Sequence, residues 1–315
     1  MYRKPTLLKR HPLNPIIKPM DYPDTFGDVA DAVFNPGQTV FNGKTVLLVS
    51  VCLRNKPYCE THVAMSDDGV HFSINPKPCF FRDPDKVFGE YDNHPIDNRI
   101  TRIGDEYYIC RPGNSPMGCI GLLYKTTDFE NFEPLDIVAL PDNRVPCIFP
   151  EKIGGYYYRL DRPYAPGGSS EHGHIWISRS PDLIHWGHHR FLMQGFTAWN
   201  WEKVGPTVPI KTEKGWLEIF HGVSSSCSVV SYSLGAMLLD LEDPSKIIGR
   251  MESYILTAEE DYEFNGRTPG CVFATGTVAD LKTRELRCYY GAADTYVGLA
   301  TGNLDEIMDA CLKSK

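Results

Sequence analysis

Apolar and polar positions recur along the chain in a fixed unit: a glycine or charged turn, a short run rich in aromatic and β-branched residues, then a polar or cationic residue. The unit reads NGKTVLLVSVCLR (residues 42–54), IGDEYYICRP (103–112), GGYYYRLDRP (154–163), KGWLEIFHGV (214–223) and RELRCYYGAAD (284–294). Runs of this length and composition, bounded by turn formers, predict strands. Their starts lie roughly 50 to 70 residues apart, the span of one four-stranded propeller blade with its loops. Five copies predict an all-β fold, a five-bladed β-propeller, with the recurring strand nearest the axis of each blade.

A second pattern follows several of these strands: HVAMSDDGVHF (62–72), LLYKTTDFENFEP (122–134) and IWISRSPDLIHWGHH (175–189). Each reads as a strand, an Asp-containing turn and an aromatic that packs under the next strand, as a β-meander continues. Helical periodicity is confined to NLDEIMDACLKSK (303–315), with Asn303 at the N-cap and Leu304, Ile307, Met308 and Leu312 at helical spacing. This predicts one short helix outside the propeller. Residues 1–20 are expected to wrap the outside or close the ring with the last blade, because a propeller has to hide its edge strands. Prolines and glycines are spread evenly, so no linker divides the chain and residues 1–315 read as a single propeller domain.

Composition narrows the function. At 315 residues, 42% hydrophobic and 23% charged, the chain can bury a sizeable core. A net charge of -8 without any block of Lys and Arg leaves no electrostatic footprint for nucleic acid, while a local basic pocket for a small anion stays open. No stretch approaches the roughly 18 apolar residues of a membrane span, and the N-terminal residues lack the apolar segment of a secretory signal. A cytoplasmic protein is expected; the sequence leaves its oligomeric state open, a homo-oligomer included. The ten cysteines show no C-x-x-C pair or zinc spacing, so buried free thiols are expected rather than disulfides, and no metal.

Chemistry concentrates around YDNHPIDNRITRIGDEYYICR (91–111), where Asp97 and Arg99 stand at the mouth of an aromatic strand. Strand ends and the loops before them offer Arg54, Asp97 with Arg99, Arg162, His221 and Asp294 to one central funnel. Two carboxylates among several cations suit an anionic or sugar substrate. Each residue alone has a plainer reading. Asp97 could cap a turn, Arg162 could pair with Asp161 or Glu151, His221 could be a hydrogen-bonded strand histidine, and Glu151 with Lys152 could form an exposed turn.

Eight blocks in order carry a resemblance: FNPG (34–37), SDDGVHF (66–72), IDNRITRIGDEYY (96–108), FPEKIGGYY (149–157), LDRP (160–163), GWLEIFHGV (215–223), YSLGAMLLDLEDPSKIIGR (232–250) and YYGAADT (289–295). Together they resemble the motif series of glycoside hydrolase family 130 over nearly the whole chain. The resemblance implies a five-bladed propeller enzyme that cleaves β-mannosides, mostly by inverting phosphorolysis to α-mannose 1-phosphate. It places the acid at Asp97, acting through a hydroxyl of the transferred mannose. It implies a phosphate pocket of Arg144, Arg162, Lys203, His221 and Tyr232, and mannosyl contacts from Asn35, Arg54 and Asp294. Inorganic phosphate is then a co-substrate, and no cofactor or metal is needed.

Physical logic runs the same way, since phosphate is already an anionic nucleophile and needs orientation rather than a base. Arginine forks match its oxygens. The chain departs from the family in placing Ile96 and Asn98 around the acid where Glu and Pro are frequent. It also has Asp161 where His precedes the Arg-Pro pair, and an unusual setting for Arg144 and Pro146; these bear on linkage and acceptor. Family hydrolases lack the phosphate-binding His and Tyr, and both are present here. Two other functions stay open at this point: an inverting β-mannosidase using water with Glu151 or Glu202 as base, and a silent sugar-binding propeller. Tyr91, Tyr164, Trp199 and Trp201 are candidates for stacking on the acceptor sugar.

Overall fold

In the computed structural model, which describes residues 6–23, 28–80, 88–91, 93–164, 173–227 and 229–313, the strands form five antiparallel sheets. Residues 1–5 of the closing segment, Asp92, and residues 314–315 of the expected helix lie outside the described residues. Blade 1 pairs Ala30–Phe41, Lys44–Leu53, Cys59–Ser66 and Ser73–Pro78 in that order. Blade 2 pairs Arg99–Ile103, Glu106–Ser115, Gly118–Thr126 and Glu133–Ala139; blade 3 pairs Cys147–Ile148, Tyr157–Asp161, Ile175–Ser180 and Gly187–Met193. Blade 4 runs Lys203–Gly205, Trp216–Ser226, Val229–Leu239 and Ile247–Arg250. Blade 5 takes Val272–Phe273, Glu285–Ala292 and Tyr296–Asn303, and then Lys9–Arg10 from the other end of the chain.

The recurring aromatic strand is therefore the second of each blade, and not the one nearest the axis. First strands of blades 1 and 2, and of blades 2 and 3, pack against one another, which puts the first strand innermost. That position is crowded, and in blades 3 to 5 it holds only two or three residues. The second strand is bonded on both edges and lies between neighbouring sheets, so it collects the apolar run that the pattern detects.

The Asp turns form as expected, with one hydrogen-bond scheme repeated. Ser66, Thr126 and Ser180 hydroxyls donate to Asp68, Asp128 and Asp182, whose carboxylates accept N–H groups two and three residues on. The aromatics that follow fasten blades together. Phe72 meets Tyr289 of blade 5 edge-on at 5.7 Å, and Phe132 meets Phe80 at 5.1 Å.

Apolar cores fill the gaps between consecutive blades: Leu48, Val63, Ile109 and Leu122 between blades 1 and 2, Phe149, Leu160, Phe220 and Met237 between blades 3 and 4. The ring closes where Val33 and Val49 of blade 1 meet Tyr289 and Leu299 of blade 5. Burying such aliphatic side chains stabilises by about 1.5–3 kcal/mol each. Lys9 and Arg10 pair with Thr301 and Ala300, so the N-terminal segment closes the last blade. The helix Leu304–Lys313 is capped by Asn303, whose Oδ1 accepts the Asp305 and Glu306 N–H groups, and buries Leu304, Ile307, Met308 and Cys311. Leu312, expected on that face, is only partly buried. One expectation about cysteine fails: Cys52 and Cys59, cross-strand partners in blade 1, form a disulfide. Residues this close across a hairpin can pair without any sequence motif. Cys79, Cys110, Cys119, Cys147, Cys227, Cys271, Cys288 and Cys311 are free thiols. Among the described residues no helix is long and apolar enough to cross a membrane.

Candidate active site

One strand bulge and two loops bring their residues together. Asn35 lies in a bulge of the first strand of blade 1, Asp97 immediately precedes Asn98 and the first strand of blade 2, and Asp294 follows the second strand of blade 5. All three have left-handed backbones, with φ of 43°, 56° and 48°. Asn and Asp tolerate this region, and such outliers gather at functional sites. The Asn35 amide donates to Asp97 Oδ1 at 2.8 Å and to Asp294 Oδ1 at 3.3 Å. Gly291 is required beneath it, because a Cβ there would stand 1.8 Å from Asn35 Oδ1. Burial shifts Asp294 toward its protonated form and Asp97 adds to this, against a 2.6 Å hydrogen bond from Thr268.

Local contacts explain the altered residues around the acid. Ile96 packs on Ala32, Phe34, Cys52 and Cys59. Asn98, in place of a ring that would fix φ, donates to Thr61 Oγ1 at 3.0 Å, and Thr61 donates to the Pro95 carbonyl at 2.8 Å. The Asp97 N–H reaches Ser50 Oγ at 3.2 Å, and Arg99 Nη1 donates to the Asp97 carbonyl.

The cations form a second group. Arg144, Arg162 and Lys203 line one cleft of about 460 Å³, together with Asn114, Tyr164 and Glu202. Arg162 Nη1 donates to His221 Nε2 at 2.9 Å, which makes His221 the Nδ1–H tautomer; that Nδ1 is buried without a partner. Burial, and then Arg162, hold His221 well below its usual pKa, so the ring is neutral. Burial lowers Arg162 to about 10 and Lys203 to about 8, with neighbouring cations adding to both shifts. Lys203 Nζ lies 5.2 Å from the centre of the Tyr232 ring, and Tyr232 is pushed up to about 12, mainly by burial. Asp97 acts electrostatically on Arg144, Arg162 and Tyr232, so the acid and the cations share one field.

Arg162 is not consumed by an ion pair. Asp161 pairs with Arg159 at 2.9 Å and accepts from Ser178 and Asn143, while Glu151 pairs with Lys211 at the surface. Among the described residues no carboxylate pairs with Arg162. Asn143 links the two systems: it donates to Asp161 and accepts the Arg162 N–H at 3.2 Å. The Asp161 that replaces the expected histidine therefore positions Arg162 through Asn143.

Arg54 is hydrogen-bonded to neither Asn35 nor Asp294 among the described residues. It pairs with Asp31 at 2.8 Å and its side chain is 68% exposed. Of the four aromatics, Tyr164 lines the cleft and Trp199 stacks on Phe220, with its N–H on the Glu252 carbonyl. Trp201 is exposed, and Tyr91 packs against the core between blades 1 and 2. Pattern reading passed over Asn143, Thr268 and Gly205. A Cβ on Gly205 would stand 2.3 Å from the His221 ring, and only the Gly-Pro step after Lys203 hints at that closeness.

A carboxyl held beside an amide and a second carboxyl, in the field of cations among which Arg162 has no carboxylate partner in the described residues, can protonate a leaving oxygen while those cations hold an anion. Among the described residues no group of three His, Cys, Asp or Glu is placed to hold a metal ion. Comparison with known proteins gives a consistent result. Residues 8–313 match the family described as beta-1,4-mannooligosaccharide phosphorylase. The chain is 35% identical to the beta-1,4-mannooligosaccharide phosphorylase of Ruminococcus albus, covering 95% of this chain and 89% of that one. It is 39% identical to a beta-1,2-mannobiose phosphorylase of Listeria innocua, over 78% and 67%. The crystal structure of beta-1,2-mannobiose phosphorylase from Listeria innocua in complex with beta-1,2-mannobiose superposes with a TM-score of 0.88, at 31% identity and 98% and 99% coverage. With its five blades and with family blocks from Phe34 to Thr295, this chain belongs to glycoside hydrolase family 130.

Proposed function

We propose that this enzyme carries out inverting phosphorolysis of β-mannosides, β-1,2- or β-1,4-linked mannosyl disaccharides or short manno-oligosaccharides, yielding α-mannose 1-phosphate. The observation that carries the reading is Arg162: half-buried, bonded to a neutral His221, beside Lys203, and without a carboxylate partner among the described residues. Such a group is arranged to receive an anion. In the reaction a phosphate oxygen forms the new bond to the mannosyl anomeric carbon as the glycosidic bond breaks. The leaving oxygen takes a proton that originates at Asp97 and passes through a hydroxyl of the mannose. Arg144, Arg162, Lys203, His221 and Tyr232 hold phosphate, and Asn35 and Asp294 hold the mannosyl unit. Arg54 joins that contact only by leaving Asp31. Phosphate is the co-substrate, and no metal or organic cofactor takes part.

Hydrolysis would need a base. Glu151 is engaged by Lys211 outside the cleft, which leaves Glu202, within the cleft, as the one candidate of the two. The whole chain acts as one catalytic propeller, placed in the cytoplasm where phosphate is supplied and a phosphorylated product is retained; assembly into a homo-oligomer is compatible with this. Incubating purified protein with a panel of mannosyl disaccharides, with and without phosphate, tests the reading. Mannose 1-phosphate should form only with phosphate and from one linkage far faster than from the others. Equal release of free mannose under both conditions would overturn it in favour of hydrolysis.

A further inference from the structure

Resting on the phosphorolysis reading, one buried group remains without a role. Arg99 opens the first strand of blade 2 and is 1% exposed. Its Nη1 donates to the Asp97 carbonyl, while Nε and Nη2 are buried without hydrogen-bond partners. A permanently charged guanidinium left in that state is costly to bury, so the fold retains it against a penalty. The ring of Phe273, 5.6 Å from the guanidinium carbon, offsets part of this. That same ring stands 4.7 Å from the His221 ring and 6.2 Å from Tyr232.

Arg99 thus touches the acid directly and reaches the phosphate residues across one aromatic ring. Its charge is felt there, since it helps to disfavour the protonated forms of both Arg162 and His221. Among the described residues no carboxylate forms an ion pair with it. The carboxyl within its field, Glu218, is buried, has Oε2 unpartnered and is held by burial toward its neutral form. Asp97, Arg99, Phe273, His221 and Arg162 form a continuous physical path from acid to anion site.

We propose that Arg99 is a positioning residue that ties the acid to the phosphate pocket. Its Nη1–H holds the Asp97 carbonyl, and so the left-handed acid loop, while its unpaired charge beside Phe273 strengthens the field that draws phosphate. The two functions separate by substitution. Arg99→Lys keeps the charge and loses the planar guanidinium whose Nη1–H reaches the Asp97 carbonyl, so kcat should fall about a hundredfold, the scale of a misplaced catalytic group, with KM for phosphate close to wild type. Arg99→Met loses both, so kcat should fall as far and KM for phosphate should rise about tenfold.

Steady-state kinetics in phosphate and in disaccharide, on variants whose thermal melts match wild type, read these out. Wild-type kcat in Arg99→Lys, or wild-type phosphate KM in a folded Arg99→Met, would overturn the proposal. If Arg99→Met does not fold, the kcat of Arg99→Lys decides. Failure of the parent reading looks different: wild-type protein itself would then show no phosphate-dependent turnover.

Discussion

In the proposed phosphate pocket, Lys203 sets the response to pH. Its ammonium is charged below its pKa, which burial and the neighbouring Arg162 lower to about 8, so the pocket loses one positive charge as pH rises through that value. KM for phosphate should therefore climb above about pH 8. Lys203→Arg, whose charge does not titrate there, should flatten the climb; the check is a pH series of phosphate KM for both proteins. An equally steep rise in the arginine variant would assign it to another group. His221 works in the opposite direction, on stability. Its folded pKa is depressed, so the neutral ring stabilises the fold above its unfolded pKa, and that contribution is lost as pH falls below it.

At this scale the sequence shows some residues and hides others for a physical reason. Asp97, Arg162 and Asp294 each sit beside a strand end, so spacing pointed to them, whereas His221, expected at such an end, lies in the middle of Trp216–Ser226. Asn143 and Thr268 act through bonds to residues 19 and 26 positions away, at separations that no local pattern encodes. Arg54 shows the converse. It ends a recurring strand like the others, yet Asp31, its partner from another element, takes its guanidinium.

Among the elements, the short first strand of blade 4 is the one on which the cation pocket turns. Lys203 opens it and Gly205 ends it, paired across the sheet with His221. A methyl group at Gly205 would meet His221 ring atoms at 2.3 and 2.4 Å and Arg162 Nη1 at 3.1 Å. Gly205→Ala should push both side chains from the pocket, raising KM for phosphate about tenfold and lowering stability by about 1–3 kcal/mol, as overpacking does. Kinetics with phosphate and disaccharide varied separately would show it, the disaccharide KM changing least. Strand order was the part of the fold that pattern reading misplaced. Aromatic runs mark the strand that is covered on both faces, and the axial strand, two to five residues long in blades 2 to 5, leaves too little sequence to register.

For the whole molecule, the last blade is completed by residues far apart in sequence. Arg10 reaches Glu263 at 2.8 Å, and the Glu263 side chain is fully buried and also accepts from Tyr290. Arg10→Met would strand that carboxylate, and breaking a buried pair costs about 3–5 kcal/mol, so the urea midpoint should drop accordingly. A midpoint unchanged from wild type would mean that the N-terminal strand contributes little to the ring. The ring itself was readable in advance because its repeat is written in apolar periodicity. The Cys52–Cys59 pair was not, because two cysteines seven positions apart say nothing of the hairpin that aligns them.

On the proposed mechanism, the propeller sets Asp97 in the field of Arg144 and Arg162 so that bound phosphate can attack. A phosphorus NMR time course with a β-linked mannosyl disaccharide examines that attack directly. The inorganic phosphate signal should convert into that of α-mannose 1-phosphate at the rate the disaccharide disappears, and Asp97→Asn should stop both. A phosphate signal that stays constant while mannose accumulates, or a product of the β configuration, would contradict the account.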